Sequence, residues 1–267
     1  MKRICSIWVA TAAAGLLALT LGSAPVQAKV DGPVPTFKQF KAATFRDADG
    51  QFIVNGDEPV ASTRDLKAYY SAMRGWDQSL ILNTVGGVQD KWSATQALNL
   101  TYCVSTKFGS SYATVVNAMT QGAALWEGAT AKVNFTYVPA QDASCTTRNN
   151  NVLFSVEPTK TRQYIARAFF PSTPKSGRNI LVNAKSLQNS GSWTPTNILG
   201  HELGHTLGFR HEHTRPEAGT CFEDNSWRAL TPYDSASIMH YPQCNGTSSN
   251  LSMTNTDRQG VAALYGP

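Results

Sequence analysis

The 267-residue sequence lacks several patterns that would assign it to common classes of protein. It contains no tandem repeat, and beyond its N-terminus it has no apolar run long enough to span a membrane. The formal net charge is +5, but the basic residues form no cluster, so a nucleic-acid-binding surface is not indicated. The five cysteines include no C-x-x-C pair, which argues against a zinc site built from cysteines.

The N-terminus has the organisation of a secretory signal peptide. Lys2 and Arg3 precede an apolar run, and small residues lead up to Ala28. A membrane anchor is the weaker interpretation, because the run is interrupted and no basic flank follows it to stop transfer. We therefore expect residues 1–28 to be removed on export, which leaves a net charge of +3. The mature protein is expected to be extracellular, free of the membrane and monomeric.

Export to an oxidising compartment favours disulfides over free thiols. Cys5 lies ahead of the apolar run and leaves with the signal peptide, so four cysteines remain. Four cysteines allow three pairings. Pairing of sequence neighbours closes the shortest loops, and we predict Cys103 with Cys145 and Cys221 with Cys244.

The rest of the chain divides by composition near residue 91. Residues 29–91 are rich in charged and turn residues, and they are interpreted either as a propeptide or as an N-terminal elaboration of the domain. Residues 92–267 are patterned as a strand, a long helix, four strands, a second long helix and a loop-rich tail that ends in a short helix. This order predicts an α+β fold with a mixed twisted sheet backed by two long helices.

Both long helices have recognisable ends. The first, at residues 110–129, places its apolar side chains on one face behind a serine N-cap. In the second, Thr194 is the predicted N-cap, Pro195 takes the first helical position and Gly208 supplies the C-terminal stop.

The histidines are absent from the first 200 residues, and all five lie within the next forty. His201 and His205 are four residues apart on the second helix, so both imidazoles can reach one ion. A chain reversal at Gly208 lets His211 return as a third ligand. Three protein ligands leave a position open for water, which is typical of a catalytic zinc site. Glu202 lies beside the pair, where it can act on that water as a general base.

The stretch HELGHTLGFRH, followed by SIMHY at 237–241, resembles the metzincin zinc endopeptidases. Within that clan GFRHE and SIMHY are similar to astacins, and the closing DRQGVAALYG is similar to matrixins. FIVNGD, taken with HELGHTLGFRH, resembles the bacterial dual-action HEIGH metallopeptidases. The resemblance covers roughly residues 92–267, and it implies a metzincin-like fold, one zinc ion per catalytic domain and hydrolysis of peptide bonds.

The resemblance also implies roles for single residues. Met239 would form the methionine turn beneath the zinc site without binding the metal, and Tyr241 would be a phenolic ligand that assists catalysis. Asp57 resembles the aspartate through which astacin propeptides occupy the zinc, although Val54 replaces a phenylalanine there; an ordinary turn is the other interpretation. Glu212 matches a glutamate that contacts the new N-terminus in astacins, or else it is an exposed loop carboxylate.

The resemblance to metzincins also implies that the substrate lies extended along the edge strand of the sheet, which by order should be residues 164–170. Arg167 on this strand, with Lys160 and Arg162 nearby, either favours acidic substrates or simply discourages aggregation of the edge. His213 and His240 are not expected to be ligands.

We therefore predict a secreted zinc-dependent endopeptidase that acts on extended peptides, with Glu202 as the base. A zinc-bound but catalytically silent binding protein is the alternative from another class, and the retention of Glu202 argues against it. Hydrolysis of cell-wall peptides is a third interpretation, which only substrate profiling separates from the first. The sequence leaves calcium binding open.

Overall fold

The computed structural model describes residues 36–72 and 81–267. The signal peptide predicted at 1–28 lies outside these residues. The strands are β1 (Phe45–Arg46), β2 (Phe52–Val54), β3 (Glu58–Val60), β4 (Leu82–Val85), β5 (Val88–Gln89), β6 (Leu100–Val104), β7 (Phe135–Tyr137), β8 (Phe154–Pro158), β9 (Ala166–Arg167), β10 (Asn179–Val182) and β11 (Trp227–Arg228). The α-helices are α1 (Phe37–Ala43), α2 (Thr63–Ala72), α3 (Ala94–Ala97), α4 (Tyr112–Glu127), α5 (Ala184–Gln188), α6 (Pro195–Thr206) and α7 (Asn255–Tyr265).

Strands β6 to β10 form a five-stranded mixed sheet in the order β7-β6-β8-β10-β9. The first four of these are parallel to one another, and β9 pairs antiparallel with β10 at the edge. They follow the predicted order, with one strand before the long helix α4 and four between α4 and the long helix α6. The predicted α+β fold with its mixed sheet is therefore confirmed.

The two long helices, α4 and α6, pack against each other where two glycines meet. A Cβ added to Gly122 would lie 2.8 Å from the backbone nitrogen of Gly200, so only glycine allows this approach. Trp126 of α4 donates its indole N–H to the Gly200 carbonyl at 2.8 Å. The apolar face of α4, including Val115 and Met119, lies in the main hydrophobic core with the inner face of the sheet. The sheet and α4 thus fix the position of α6.

The ends of α6 are as predicted. Thr194 accepts a hydrogen bond from the Asn197 backbone at 3.1 Å, and Pro195 takes the first helical position. Gly208 has φ +103°, and a Cβ there would lie 2.2 Å from the Asp90 carbonyl oxygen, so the chain reversal requires glycine. The N-cap of α4 is a serine as predicted, Ser111, but it has helical φ and ψ angles and its side chain makes no capping hydrogen bond.

Residues 36–72, which we call the N-terminal segment, carry their own three-stranded sheet in the order β1-β2-β3. Phe52 and Val54 pack with Leu66 of α2 in a small apolar cluster. Ile53, on the opposite face of β2, packs with Tyr164 and Leu181 beside the edge of the central sheet. One face of β2 therefore packs within the segment, and the other face attaches the segment to the rest of the protein.

Both predicted disulfides are confirmed, with Cα–Cα distances of 5.6 Å in Cys103–Cys145 and in Cys221–Cys244. The second one joins the loop after α6 to the chain that follows Met239. Across the described ranges, no helix combines the length and the apolar content needed to cross a bilayer.

Candidate metal centre

Three histidines converge on one point beneath the end of α6. His201 and His205 project from successive turns of the helix, and the reversal at Gly208 returns the chain so that His211 faces them. The Nε2 atoms of His201 and His211 are 3.2 Å apart. Together with Asp57 of the N-terminal segment, the three rings offer ligand atoms that all lie within 4.8 Å of one another, and all four residues are buried.

The remaining ring nitrogen of each histidine is held by an oxygen acceptor. The acceptors of the Nδ1–H groups are the Ile238 carbonyl for His201 (2.7 Å), the Phe209 carbonyl for His205 (2.8 Å) and Glu223 Oε1 for His211 (2.6 Å). Because such oxygens only accept, each ring keeps a hydrogen on Nδ1, and a ring that gives up its Nε2 hydrogen to bind a metal turns the Nε2 lone pair inward. Within the described residues, His205 Nε2 is buried without a hydrogen-bond partner. Three inward imidazole nitrogens and one carboxylate are a donor set that fits a zinc ion.

Asp57 reaches into this centre from the turn between β2 and β3. Its Oδ2 accepts the phenolic hydrogen of Tyr241 and lies 3.5 Å from His201 Nε2. Its Oδ1 lies 3.3 Å from His211 Nε2 and 3.8 Å from His205 Nε2. Burial acts to raise the pKa of Asp57, but the charge and hydrogen bonds of the histidines hold that pKa well below its ordinary value. These contacts favour the ionised form of the Asp57 carboxylate at the point where the three rings meet.

Tyr241 contacts the histidine rings, and Met239 packs against the helix that carries two of them. The Tyr241 ring stacks on His201 with centroids 5.4 Å apart, and burial together with the charge of Asp57 raises the pKa of its phenol well above 10. Tyr241 is therefore a neutral hydrogen-bond donor. Met239 is buried against α6, where its sulfur would lie only 2.4 Å from a Cβ on Gly204.

Glu202 is buried beside the histidines, with 2% of its surface exposed. Its Oε2 has no hydrogen-bond partner in the part of the chain that the structure describes. Burial and the neighbouring charge of Asp57 raise the pKa of Glu202 well above its ordinary value. A carboxyl in this position is suited to taking up and returning a proton.

Several buried charged residues lie next to His211, and the sequence did not predict them. Arg210 is buried and pairs with Asp224 Oδ1 at 2.6 Å, with Glu223 Oε2 at 3.0 Å and with Glu58 Oε2 at 3.4 Å. Burial, with the charge of Glu223, raises the pKa of Glu58 to about 8. These carboxylates have no motif spacing from the histidines, so no sequence signal could have found them.

One expectation on the loop after α6 is corrected, and a second residue of that loop proves to be buried. His213, which was not expected to be a ligand, is the buried residue, and its Nε2 lies 3.3 Å from Glu223 Oε1. The exposed interpretation of Glu212 is wrong, because Glu212 is buried and pairs with Arg215 at 2.9 Å. His240 is turned away from the centre, and its Nε2 lies 2.9 Å from the hydroxyl of Tyr233.

Arg167 on edge strand β9 is buried, so the interpretation of Arg167 as an exposed charge that discourages aggregation of the edge is wrong. Its side chain is 0% exposed. It pairs with Asp47 at 2.9 Å and also with Asp49, and both carboxylates belong to the N-terminal segment. Tyr164 donates a hydrogen bond of 2.5 Å to Asp47. The segment is thus held against the edge of the sheet by buried charge as well as by apolar contacts.

Comparison with known proteins agrees with this geometry. Residues 78–226 match the family described as dual-action HEIGH metallo-peptidase. The zinc metalloproteinase nas-30 of Caenorhabditis elegans is 40% identical over a region that covers 16% of this chain and 8% of that relative, so the chain corresponds to a small part of the relative's length. Since the match to the family covers more than half of the sequence, this chain belongs to the dual-action HEIGH metallo-peptidase family.

Proposed function

We propose that this protein is a secreted zinc endopeptidase that is made in a latent form. In this proposal residues 1–28 direct export, residues 29–91 keep the enzyme inactive as a propeptide, and residues 92–267 carry catalysis as a monomer. The observation that carries the proposal is the meeting of three inward histidine Nε2 atoms with the carboxylate of Asp57 at one buried point.

His201, His205 and His211 would hold the zinc, and Tyr241 would add a phenolic oxygen. Zinc, when bound, supplies a Lewis acid that acidifies water and polarises a peptide carbonyl. The hydrogen bonds to the three Nδ1 atoms support these assignments, because they fix which nitrogen of each ring can act as ligand.

Glu202 would be the general base. Its Oε2 is free of other hydrogen bonds in the described structure, so it can take a proton from the attacking water and return it to the leaving amine. Burial favours the protonated carboxyl, which suits the second of these steps. Tyr241, once it is released from Asp57, can donate its hydrogen bond to the negative charge that develops on the carbonyl oxygen.

The N-terminal segment would account for latency. Asp57 contacts the ring nitrogens and the phenol that the reaction needs. The pairing of Asp47 with Arg167 holds the segment against β9. An extended substrate would bind beside this edge strand. Substrate and segment therefore compete for the same place, and removal of the segment is the expected activation step.

The proposal is tested with the full chain carrying an inserted recognition site for a specific protease between residues 73 and 80. Casein cleavage and zinc content are measured before and after the cut, for wild type and for Glu202→Gln. The intact chain should hold zinc and cleave slowly. The cut wild-type protein should digest casein, and cut Glu202→Gln should hold about one zinc per chain and be inactive.

Two results would contradict the proposal. If both cut proteins held zinc and neither digested casein, the protein would be a binding module. If Glu202→Gln digested casein as fast as wild type, another group would be the base. Profiling of the cut enzyme with folded proteins and with cell-wall peptides then assigns the substrate class.

A further inference from the structure

The three Nδ1 acceptors at the metal centre differ in kind. His201 and His205 lie on α6 and donate to backbone carbonyls, whose positions the fold sets directly. His211 lies beyond the helix in an irregular stretch, and it donates to the side-chain carboxylate of Glu223 at 2.6 Å. The orientation of this ring therefore depends on a side chain.

Glu223 is itself held on both carboxylate oxygens. It is 3% exposed on its side chain, and its Oε2 accepts from Arg210 Nη2 at 3.0 Å. Its Oε1 lies 3.3 Å from His213 Nε2 in addition to the contact with His211. The backbone two residues before it is tied by the disulfide at Cys221. These restraints leave the carboxylate one orientation, in which it faces His211 Nδ1.

We propose that Glu223 is a positioning residue that prepares His211 to bind the metal. The inference rests on the proposed function, in which His211 Nε2 is a zinc ligand. A carboxylate that accepts the Nδ1–H hydrogen bond keeps the hydrogen on Nδ1 and fixes the plane of the ring. It also makes Nε2 a stronger ligand for the metal. In His201 and His205, backbone carbonyls fix the hydrogen on Nδ1 and the plane of the ring. In His211, Glu223 does both and also strengthens Nε2 as a ligand.

Glu223 also remains after activation. In the latent form Glu58 of the N-terminal segment lies 3.7 Å from the same Nδ1 atom. Removal of the segment takes Glu58 away, but Glu223 belongs to the part of the chain that matches the peptidase family. Among the described residues, Glu223 is then the carboxylate left at His211 Nδ1.

The experiment measures the zinc affinity of the full chain by competition with a chelator. The variants are Glu223→Ala, Glu223→Gln and, as the matched control, Asp224→Asn. Asp224 is also buried and also pairs with Arg210, at 2.6 Å, so the control removes a similar charge pair beside the same guanidinium. Thermal unfolding of each metal-free variant reports whether it is folded.

Glu223→Ala should bind zinc about 10- to 100-fold more weakly than wild type, as is usual when the hydrogen-bond partner of a metal-binding histidine is lost. Glu223→Gln keeps an oxygen acceptor without the charge, and its zinc affinity should lie between those of wild type and Glu223→Ala. Asp224→Asn should remain within about twofold of wild type. In histidine-labelled protein, nuclear magnetic resonance should show a hydrogen-bonded Nδ1 proton on His211 that Glu223→Ala loses and Asp224→Asn retains.

Equal losses of zinc affinity in Glu223→Ala and Asp224→Asn would overturn the inference, because they would show that Glu223 acts only by pairing with Arg210. Unchanged zinc affinity in a folded Glu223→Ala would overturn it as well. If Glu223→Ala does not fold, the same comparison is made with Glu223→Gln and the resonance of the Nδ1 proton. A wild-type chain that bound zinc no better than His201→Ala would instead refute the proposed function, and this inference with it.

Discussion

Loss of Asp47 tests whether buried charge holds the N-terminal segment in place. Asp47→Asn keeps the size of the side chain but removes the charge that faces Arg167. Arg167 is 0% exposed and keeps Asp49, which is 28% exposed, as its remaining carboxylate partner. The change therefore leaves a buried guanidinium with a single, more solvated counter-charge.

The expected magnitude follows from this burial. Removing one partner of a buried ion pair costs about 3–5 kcal/mol, and the remaining Asp49 places this case near the lower figure. About 3 kcal/mol corresponds to roughly a 150-fold change in an equilibrium constant. Because the lost pair joins the segment to β9, the fraction of molecules with the segment detached should rise by up to this factor.

The assay is cleavage of fluorescently quenched casein by the intact chain, with mass spectrometry to show that the chain is uncut. Basal activity of Asp47→Asn should exceed that of wild type by roughly 100-fold. Arg64→Gln is the control, because Arg64 is 93% exposed and its pair with Asp65 lies in water, where such pairs contribute little. Its basal activity should equal that of wild type.

The reasoning is refuted if uncut Asp47→Asn stays within twofold of wild type while its thermal unfolding shows that it has lost stability. The buried pair would then stabilise the fold without controlling access to the centre.

Three other outcomes are expected. Gly204→Ala should lower the unfolding free energy by about 1–3 kcal/mol, because its Cβ would overlap the sulfur of Met239. Gly260→Ala in α7, where the added Cβ would make only an ordinary contact with Thr231, should be neutral or stabilising in the same thermal measurement. Cys221→Ser with Cys244→Ser removes a link across 23 residues, which should cost about 3 kcal/mol in denaturant unfolding. Burial raises the pKa of Asp47, but its hydrogen bonds lower the pKa by more, so that it lies below 3.8 in the folded protein. The stability that the charged Asp47 contributes is therefore present above pH 3.8 and should be lost as the pH falls below it. The loss should appear as increased cleavage of the N-terminal segment by an acid-active protease.

The parts of the fold that follow local rules could be predicted from the sequence. The cap at Thr194, the stop at Gly208 and the alternation in the sheet strands each depend on a few neighbouring residues, and the structure has them where they were expected. Ser111 is the N-cap of α4 but makes no capping hydrogen bond, because the short helical turn before α4 already gives that residue helical angles.

The charged surroundings of the centre could not be predicted in this way. Arg167 and Asp47 are 120 positions apart in the sequence, and they meet only because β2 packs beside the sheet edge. Glu223 reaches His211 through a loop whose path depends on a disulfide. The histidine spacing indicated which side chains could meet, but not which groups would surround them.

The most direct test of the account is anomalous X-ray diffraction at the zinc edge from crystals of the full chain grown with zinc. The described part of the chain offers two clusters of ligand atoms: one at Asp57, His201, His205 and His211, and one at His211, His213 and Glu223. The account predicts one strong peak in the first cluster, bound by three Nε2 atoms and an Asp57 oxygen. A peak in the second cluster, or none within reach of His201 and His205, would contradict it.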